Sequence, residues 1–174
     1  MNINDLIKNN IERLHRDIED AIGGLTSEEI HWVPSDSFNH IAFNLWHYVR
    51  TEDNLIRFVI QERRPTVWIE QDWYSKFDLD RISQGTGMSI DEANGIRINS
   101  IDQFCEYMTE VWKSTSEYLS GASEADLAKQ FIVRPFGERS AAQIITENLL
   151  THGFTHVGEI LMLKRLQGIS FLSS

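Results

Sequence analysis

The chain contains one cysteine, three prolines and no long hydrophobic run. Because Cys105 has no second cysteine to pair with, a disulfide framework within the chain is excluded. A membrane-spanning helix needs about 18 continuous apolar residues, so the sequence predicts no membrane segment. The polar N-terminal stretch is unlike a secretory signal, and we therefore expect a cytoplasmic protein.

Basic residues are also scarce. The 16 lysines and arginines are outnumbered by 26 aspartates and glutamates, which gives a formal net charge of −10. Nucleic acids and anionic membrane surfaces repel such a chain unless a local basic patch overrides the net field. The adjacent basic pairs are only Arg63-Arg64 and Lys164-Arg165. We therefore expect a small-molecule partner, and neither nucleic acid nor membrane.

Signals for β-strands are few, and helical patterns occupy most of the sequence. The predicted long helices run from about Ile3 to Ile22, Phe38 to Glu62, Ser100 to Ser120 and Ser140 to Leu166. A long segment with several tryptophans separates the second and third helices, and a loop from Gly121 to Arg139 precedes the fourth. The pattern predicts an all-α protein, and the length predicts a single domain over residues 1–174.

Three histidines have the spacing of a metal site. His152 and His156 lie four residues apart in the fourth helix, so both imidazoles project from one face about one turn apart. They fall in the middle of an apolar stripe and should point into the core, whereas His47 lies on the flank of the second helix. The three predict a half-open metal site beside the bundle. The alternative is that they are hydrogen-bonded core histidines.

Two glutamates are candidates for acid–base chemistry near this site. Glu159 lies one turn past His156, where it could be a fourth ligand, a general base or an acceptor for an imidazole N–H; we do not favour the ligand role. Glu52 falls in the middle of an apolar helix face, where a carboxylate needs a donor, a cation or a proton. It could accept from an imidazole or pair with an arginine such as Arg97, unless that face is solvated.

Other polar and aromatic residues have simpler interpretations. His40 lies two turns from His47, about 10 Å away, which is too far to share one ion. We interpret His15 and His31 as surface or cap residues. Asn44 and Asn148 each precede a histidine by one turn and could orient an imidazole or bind substrate, or they are surface residues. Three tryptophans either line the mouth of a pocket or anchor the long loop on the bundle: Trp46, Trp68 and Trp73.

Four segments together resemble a known family. They are FNHIAFNLWHYVRTEDN at 38–54, RPTVWIEQDWYSKF at 64–77, GTGMSIDEA at 85–93 and THGFTHVGEI at 151–160. The chain resembles the DinB-like superfamily over nearly its whole length, in particular the branch with a tryptophan-rich second loop. The combination of LWH with HxxxHxGEI is the most specific element of the resemblance.

The resemblance implies a four-helix bundle with up-down-down-up connectivity and a long crossover loop between helices two and three. It also implies a divalent metal held by His47, His152 and His156, and a homodimer. Three imidazoles accept several metals; zinc or nickel is favoured, and iron or manganese would also bind. Family members include thiol transferases and thiol-dependent isomerases, which implies a low-molecular-weight thiol as a second cofactor.

We therefore expect a metal-dependent enzyme that acts on a small molecule by thiol S-transfer or by hydrolysis. Both reactions use a metal-activated nucleophile, a thiolate in the first and a hydroxide in the second, and both need a nearby base. Two alternatives stay open, a metal-dependent binding or sensing module without turnover and a bundle with structural histidines. A di-iron bundle is disfavoured, because Glu-x-x-His pairs do not occur on two helices.

Overall fold

The computed structural model describes residues 3–134 and 137–169; the other positions of the predicted domain lie outside the described residues. The helices are α1 (Ile3–Ile22), α2 (Ser27–Ile30), α3 (Ile41–Asp53), α4 (Val67–Glu70), α5 (Trp73–Phe77), α6 (Ile90–Gly95), α7 (Ile101–Gly121), α8 (Glu124–Ala128), α9 (Ala141–Gln143) and α10 (His152–Leu166). Two π-helical segments, π1 (Asn54–Ile60) and π2 (Ile144–Thr151), extend α3 and join α9 to α10. The protein is mostly helical, as the sequence predicts.

The four long predicted helices are present within a few residues of their predicted ends. The first is α1, the second is α3 with π1, the third is α7, and the fourth is α9, π2 and α10 in succession. Side-chain caps set their starts, since His40 accepts from the backbone N–H of Phe43 and Ser140 accepts from that of Gln143. Across the described residues, none of the helices has the length and apolar character that crossing a membrane requires.

Packing between these segments buries a largely apolar core. Helix α1 packs against α7 and α10, and α3 packs against the same two helices. Gly153 lets α10 approach closely, because a β-carbon there would lie 2.7 Å from Cε2 of Tyr48 and would also clash with Cδ2 of Leu14. The up-down-down-up order of the long helices stays a prediction.

The short helix α8 and a small sheet together replace most of the loop predicted between residues 121 and 139. Strands β1 (Gln130–Val133) and β2 (Gly137–Ser140) pair antiparallel, with Gln130 opposite Ser140 and Val133 opposite Gly137. The run Phe131-Ile132-Val133 is rich in β-formers, and the buried Val133 anchors it on the core. The expectation of a purely α-helical chain is therefore wrong for this hairpin, whose strands are too short to show a clear alternating pattern.

The long segment between π1 and α7 is folded onto the helices by its aromatic residues. Trp68 and Trp73 are buried and pack against Tyr107 of α7. The backbone N–H groups of Val67 and Trp68 donate to the carboxylate of Asp53, which fastens α4 to the end of α3. The tryptophans therefore act as packing anchors, and the alternative that they line a pocket mouth is wrong.

Candidate metal centre

The three histidines singled out by their spacing meet in the wall of one cavity. His47 comes from α3, and His152 and His156 come from the first turns of α10. One nitrogen from each ring lies within 4.8 Å of the other two. Because these residues come from two helices that pack directly on each other, their approach follows from the packing of α3 against α10.

The sequence-based expectation that His152 and His156 point into the core is only partly right. His156 is 9% exposed, and His152 is half-buried at the edge of the core. Gly153 occupies the position that faces Leu14 and Tyr48, because only a residue without a side chain fits there. The imidazoles are thereby turned toward the cavity, where an ion and a substrate could reach them.

The distances between the ring nitrogens fit a divalent cation. Nε2 of His152 and Nε2 of His156 lie 2.8 Å apart. In a tetrahedral zinc site, metal–nitrogen bonds of about 2.0–2.1 Å place two ligand nitrogens about 3.4 Å apart. The span of the triad, up to 4.8 Å, brackets that value, so small ring movements would bring all three nitrogens onto one ion.

A backbone carbonyl fixes the tautomer of His47. Nδ1 of His47 donates to the carbonyl oxygen of Gln84, which can only accept, so Nε2 keeps its lone pair for a metal. Gly85 follows with φ +91°, and a β-carbon on it would lie 3.0 Å from Nδ1 of His47. A residue with a side chain would push the imidazole away. Gly85 is thus part of the site, whereas the sequence analysis placed it only within the GTGMSIDEA segment of the family resemblance.

Glu159 has the same effect on His156. Nδ1 of His156 lies 2.7 Å from Oε2 of Glu159. This contact to a carboxylate favours the tautomer with the proton on Nδ1 and the lone pair on Nε2. The hydrogen bond from His156 lowers the pKa of Glu159, so the carboxylate is ionised at neutral pH. Of the three roles considered for Glu159, the geometry matches the acceptor for an imidazole N–H.

The rings of His47 and His152 favour the uncharged state that metal coordination requires. Burial lowers the pKa of His47. Burial and the neighbouring His156 and His47 lower the pKa of His152 to about 4. Because protonated imidazole cannot bind a metal, both rings are competent ligands at neutral pH without first losing a proton.

The triad opens into a cavity of about 840 Å³, a size typical of small-molecule sites. Its walls combine apolar side chains with a few charged ones. Because the three histidines face the cavity, an ion held by them would keep open coordination positions toward it. The charged side chains of the wall, besides the histidines, are Arg134, Glu147 and Glu159.

Glu52 is separated from the triad, and its expected role as a base there is wrong on this geometry. It is fully buried, and its carboxylate accepts from the Tyr48 hydroxyl at 2.7 Å and the Thr115 hydroxyl at 2.6 Å. Nε2 of His15 lies 3.0 Å from Oε1 of the same group. Burial alone would raise the pKa of Glu52, but His15 and the hydrogen bonds lower it below its ordinary value.

Several other polar residues also have clear places. His15 is 7% exposed and stacks on Trp112, so its prediction as a surface or cap residue is wrong. His31 does cap α2. Asn44 is buried and does not line the cavity, whereas Asn148 does, one turn before His152.

Comparison with known proteins agrees with this architecture. A family model described as the DinB superfamily matches residues 10–160. A solved structure from Enterococcus faecalis, titled as a conserved protein, is similar with a TM-score of 0.81 and 20% sequence identity, covering 95% of this chain and 97% of that chain. At that identity the likeness shows a shared fold. No curated protein matches the chain.

Proposed function

The chain belongs to the DinB superfamily, and from that membership and its site we propose that it is a divalent-metal-dependent enzyme acting on a small molecule. The reaction proposed is thiol S-transfer or hydrolysis, with zinc or nickel favoured over iron or manganese. The observation that carries the proposal is the meeting of three imidazole nitrogens within 4.8 Å in the wall of a large cavity.

His47, His152 and His156 would hold the ion as neutral ligands. When bound, a divalent ion lowers the pKa of a coordinated thiol or water and so supplies a nucleophile at neutral pH. The carbonyl of Gln84 and the carboxylate of Glu159 keep the Nδ1 protons of His47 and His156 in place, so that both Nε2 lone pairs face one point. This preorganisation reduces the rearrangement needed when the ion enters.

Glu159 is also the candidate proton acceptor. It lines the cavity, its side chain is 42% exposed, and its Oε2 is occupied by His156. The second oxygen, Oε1, is the one that would take a proton from an incoming thiol or water. Glu52 has no such access, because its oxygens bond to His15, Tyr48 and Thr115.

The walls of the cavity would position the substrate. Phe43 stacks on His47 with ring centroids 5.7 Å apart, and Leu55 and Met88 add further apolar surface. Such walls exclude water from part of the site and strengthen the electrostatic interactions inside it.

A four-helix bundle with up-down-down-up connectivity, a homodimer and a cytoplasmic location complete the proposal, and light scattering of the purified protein tests the dimer.

The metal is tested by elemental analysis of tag-free protein. The wild type should contain near-stoichiometric metal. In His47→Ala and in His156→Ala the metal content should fall about tenfold or more, because each variant lacks one of the three proposed ligands. His40→Asn is the matched control, because His40 caps α3 and bonds to Arg97 but does not line the cavity. Circular dichroism checks that each variant keeps its helices.

Full metal content in the triad variants, or none in the wild type after reconstitution, would overturn the proposal. Turnover is tested next with metal-loaded protein and with chelator-treated protein. Each is incubated with combinations of a thiol and an electrophile and, in a separate assay, with hydrolysable amides and esters. Metal-dependent product formation supports an enzyme. Tight binding without any product would instead make the chain a metal-dependent binding module.

A further inference from the structure

A single arginine introduces positive charge into the wall of the cavity. Arg134 follows Val133 at the end of β1, and both residues line the cavity. It is exposed and, among the described residues, takes part in no hydrogen bond or ion pair. The formal net charge of the chain is −10, so Arg134 gives this part of the wall a charge opposite to that of the protein as a whole.

The carboxylates near Arg134 already have other partners. Glu147 lines the same cavity, but the guanidinium of Arg139 lies 3.6 Å from its Oε2. Glu159 accepts a hydrogen bond from His156, one of the three histidines of the triad. The guanidinium of Arg134 is therefore available to a ligand, and a guanidinium fork matches a carboxylate with two parallel hydrogen bonds.

The hairpin places this charge away from the histidines. Val133 shares an apolar cluster with Leu55, and strand β1 packs against π1. Leu55 follows His47 by eight residues, which corresponds to about 12 Å along the helix axis. The wall between His47 and Arg134 is mixed: Leu55 and Val133 are apolar, whereas Thr51, one turn after His47, is polar. A ligand that reaches from the histidines to Arg134 needs a linear chain of about this length and an anionic terminus.

From these observations we propose that Arg134 is a specificity residue, which selects substrates that carry a carboxylate at one end and place their reacting group at the histidine triad. This inference rests on the proposed function for the identity of the reacting end. Close to its guanidinium, Arg134 would then attract an anionic group despite the acidic surface of the protein, because a nearby charge outweighs more distant ones.

The test uses two probes that differ only in charge, 6-mercaptohexanoate and 6-mercaptohexanamide. Both offer a thiol to the metal-loaded protein and have the same length, so a difference in Kd reports the anionic end alone. The wild type should bind the carboxylate about tenfold more tightly at low salt, and the preference should shrink as salt is added. Arg134→Gln should abolish it, and Arg134→Lys should keep part of it.

Lys129→Gln is the matched control, because it removes a cation directly before the same hairpin, and neither Lys129 nor its ion-pair partner Glu62 lines the cavity. It should bind the two probes as the wild type does. Equal affinity of the wild type for both probes would overturn the inference. A preference that persists unchanged in Arg134→Gln would also overturn it, because the metal alone would then explain the attraction.

A second arm separates this inference from the proposed function. Chelator-treated protein is titrated with hexanoate and hexanamide, and binding is followed by shifts in the amide resonances of the wild type and Arg134→Gln. A preference for hexanoate that depends on Arg134 in protein unable to bind metal would leave the inference standing while the proposed function fails. Metal-loaded protein that binds thiols without preference would overturn the inference and leave the proposed function intact.

Discussion

Gly153 and Tyr48 approach so closely that a β-carbon on Gly153 would lie 2.7 Å from Cε2 of the tyrosine ring. The contact fixes the spacing of α10 and α3, and with it the spacing of the histidines that they carry. It also explains why a glycine, a poor helix former, stands between His152 and His156.

Gly153→Ala should therefore destabilise the protein, although alanine is the better helix former. We expect the free energy of unfolding to fall by about 1–3 kcal/mol from overpacking. Gly158→Ala is the matched control in the same helix, since nothing lies within 4 Å of its β-carbon position; it should raise stability by up to about 1 kcal/mol. Urea unfolding of both variants measures the difference, and equal effects would show that the close approach is unimportant.

Gly85→Ala should weaken metal binding, because its β-carbon would lie 3.0 Å from Nδ1 of His47 and press on that ring. We expect the metal affinity to fall about tenfold or more, as for the loss of a group that orients a ligand. Gly87→Ala controls for backbone strain, since Gly87 also has positive φ, +81°, but open space around it. It should cost about 1–2 kcal/mol of stability while leaving the affinity unchanged. Metal competition with a chromophoric chelator measures both variants.

Glu159→Gln should keep stoichiometric metal but bind it about 10–100-fold more weakly, because an amide oxygen is a poorer acceptor for the Nδ1 proton of His156. Glu147→Gln serves as the control, since Glu147 lines the same cavity and pairs with Arg139 instead of a histidine. Its affinity for metal should match that of the wild type. Complete loss of the ion from Glu159→Gln would instead make Glu159 a ligand.

Stability of the metal-free protein should fall on mild acidification. Burial, together with His31 and Arg97, lowers the pKa of His40 to about 4, whereas an unfolded imidazole titrates near about 6.5. Between these values the unfolded chain binds the extra proton and the folded chain does not, so the free energy of unfolding falls as pH drops through that window. Protonation of Nδ1 would also remove the cap on Phe43.

His40→Asn isolates this contribution, because asparagine caps a helix but does not titrate. We expect its stability to decline less steeply than that of the wild type between about pH 6.5 and pH 4, with a difference of roughly 2 kcal/mol across the window. Urea unfolding midpoints in the presence of a chelator provide the measurement. Parallel curves for the two proteins would show that His40 does not contribute to the pH dependence.

The helices and the histidine triad could be predicted because each depends on short-range patterns. The i, i+4 spacing of His152 and His156 places both rings on one face of any helix. Which residue of the stripe faces the core could not be predicted, because Gly153 gives no hydrophobic signal and its role depends on Leu14 and Tyr48 of other helices.

The sequence does not identify hydrogen-bond partners that lie far apart in the chain. The phase of α3 showed that Glu52 needs a donor, but not that His15 of α1 provides it, 37 positions away in the chain. The same separation divides His47 from Gln84. Helical phase predicts the direction in which a side chain points, but it does not identify the residue that the side chain contacts. The paired glycines of the Gly85-Thr86-Gly87 segment were the one available signal, since a glycine with positive φ often marks a close backbone approach.

The hydrogen bond between His47 and Gln84 ties a ligand to a part of the chain outside the long helices. Because the carbonyl of Gln84 holds the ring proton and Gly85 packs on the same imidazole, the loop and the ring form one mechanical unit. A shift of the loop would free the Nδ1 proton and let the ring rotate or change tautomer. The segment between π1 and α7 thus sets the basicity of one proposed ligand, and we expect substitutions on its surface, far in sequence from the three histidines, to tune the metal affinity.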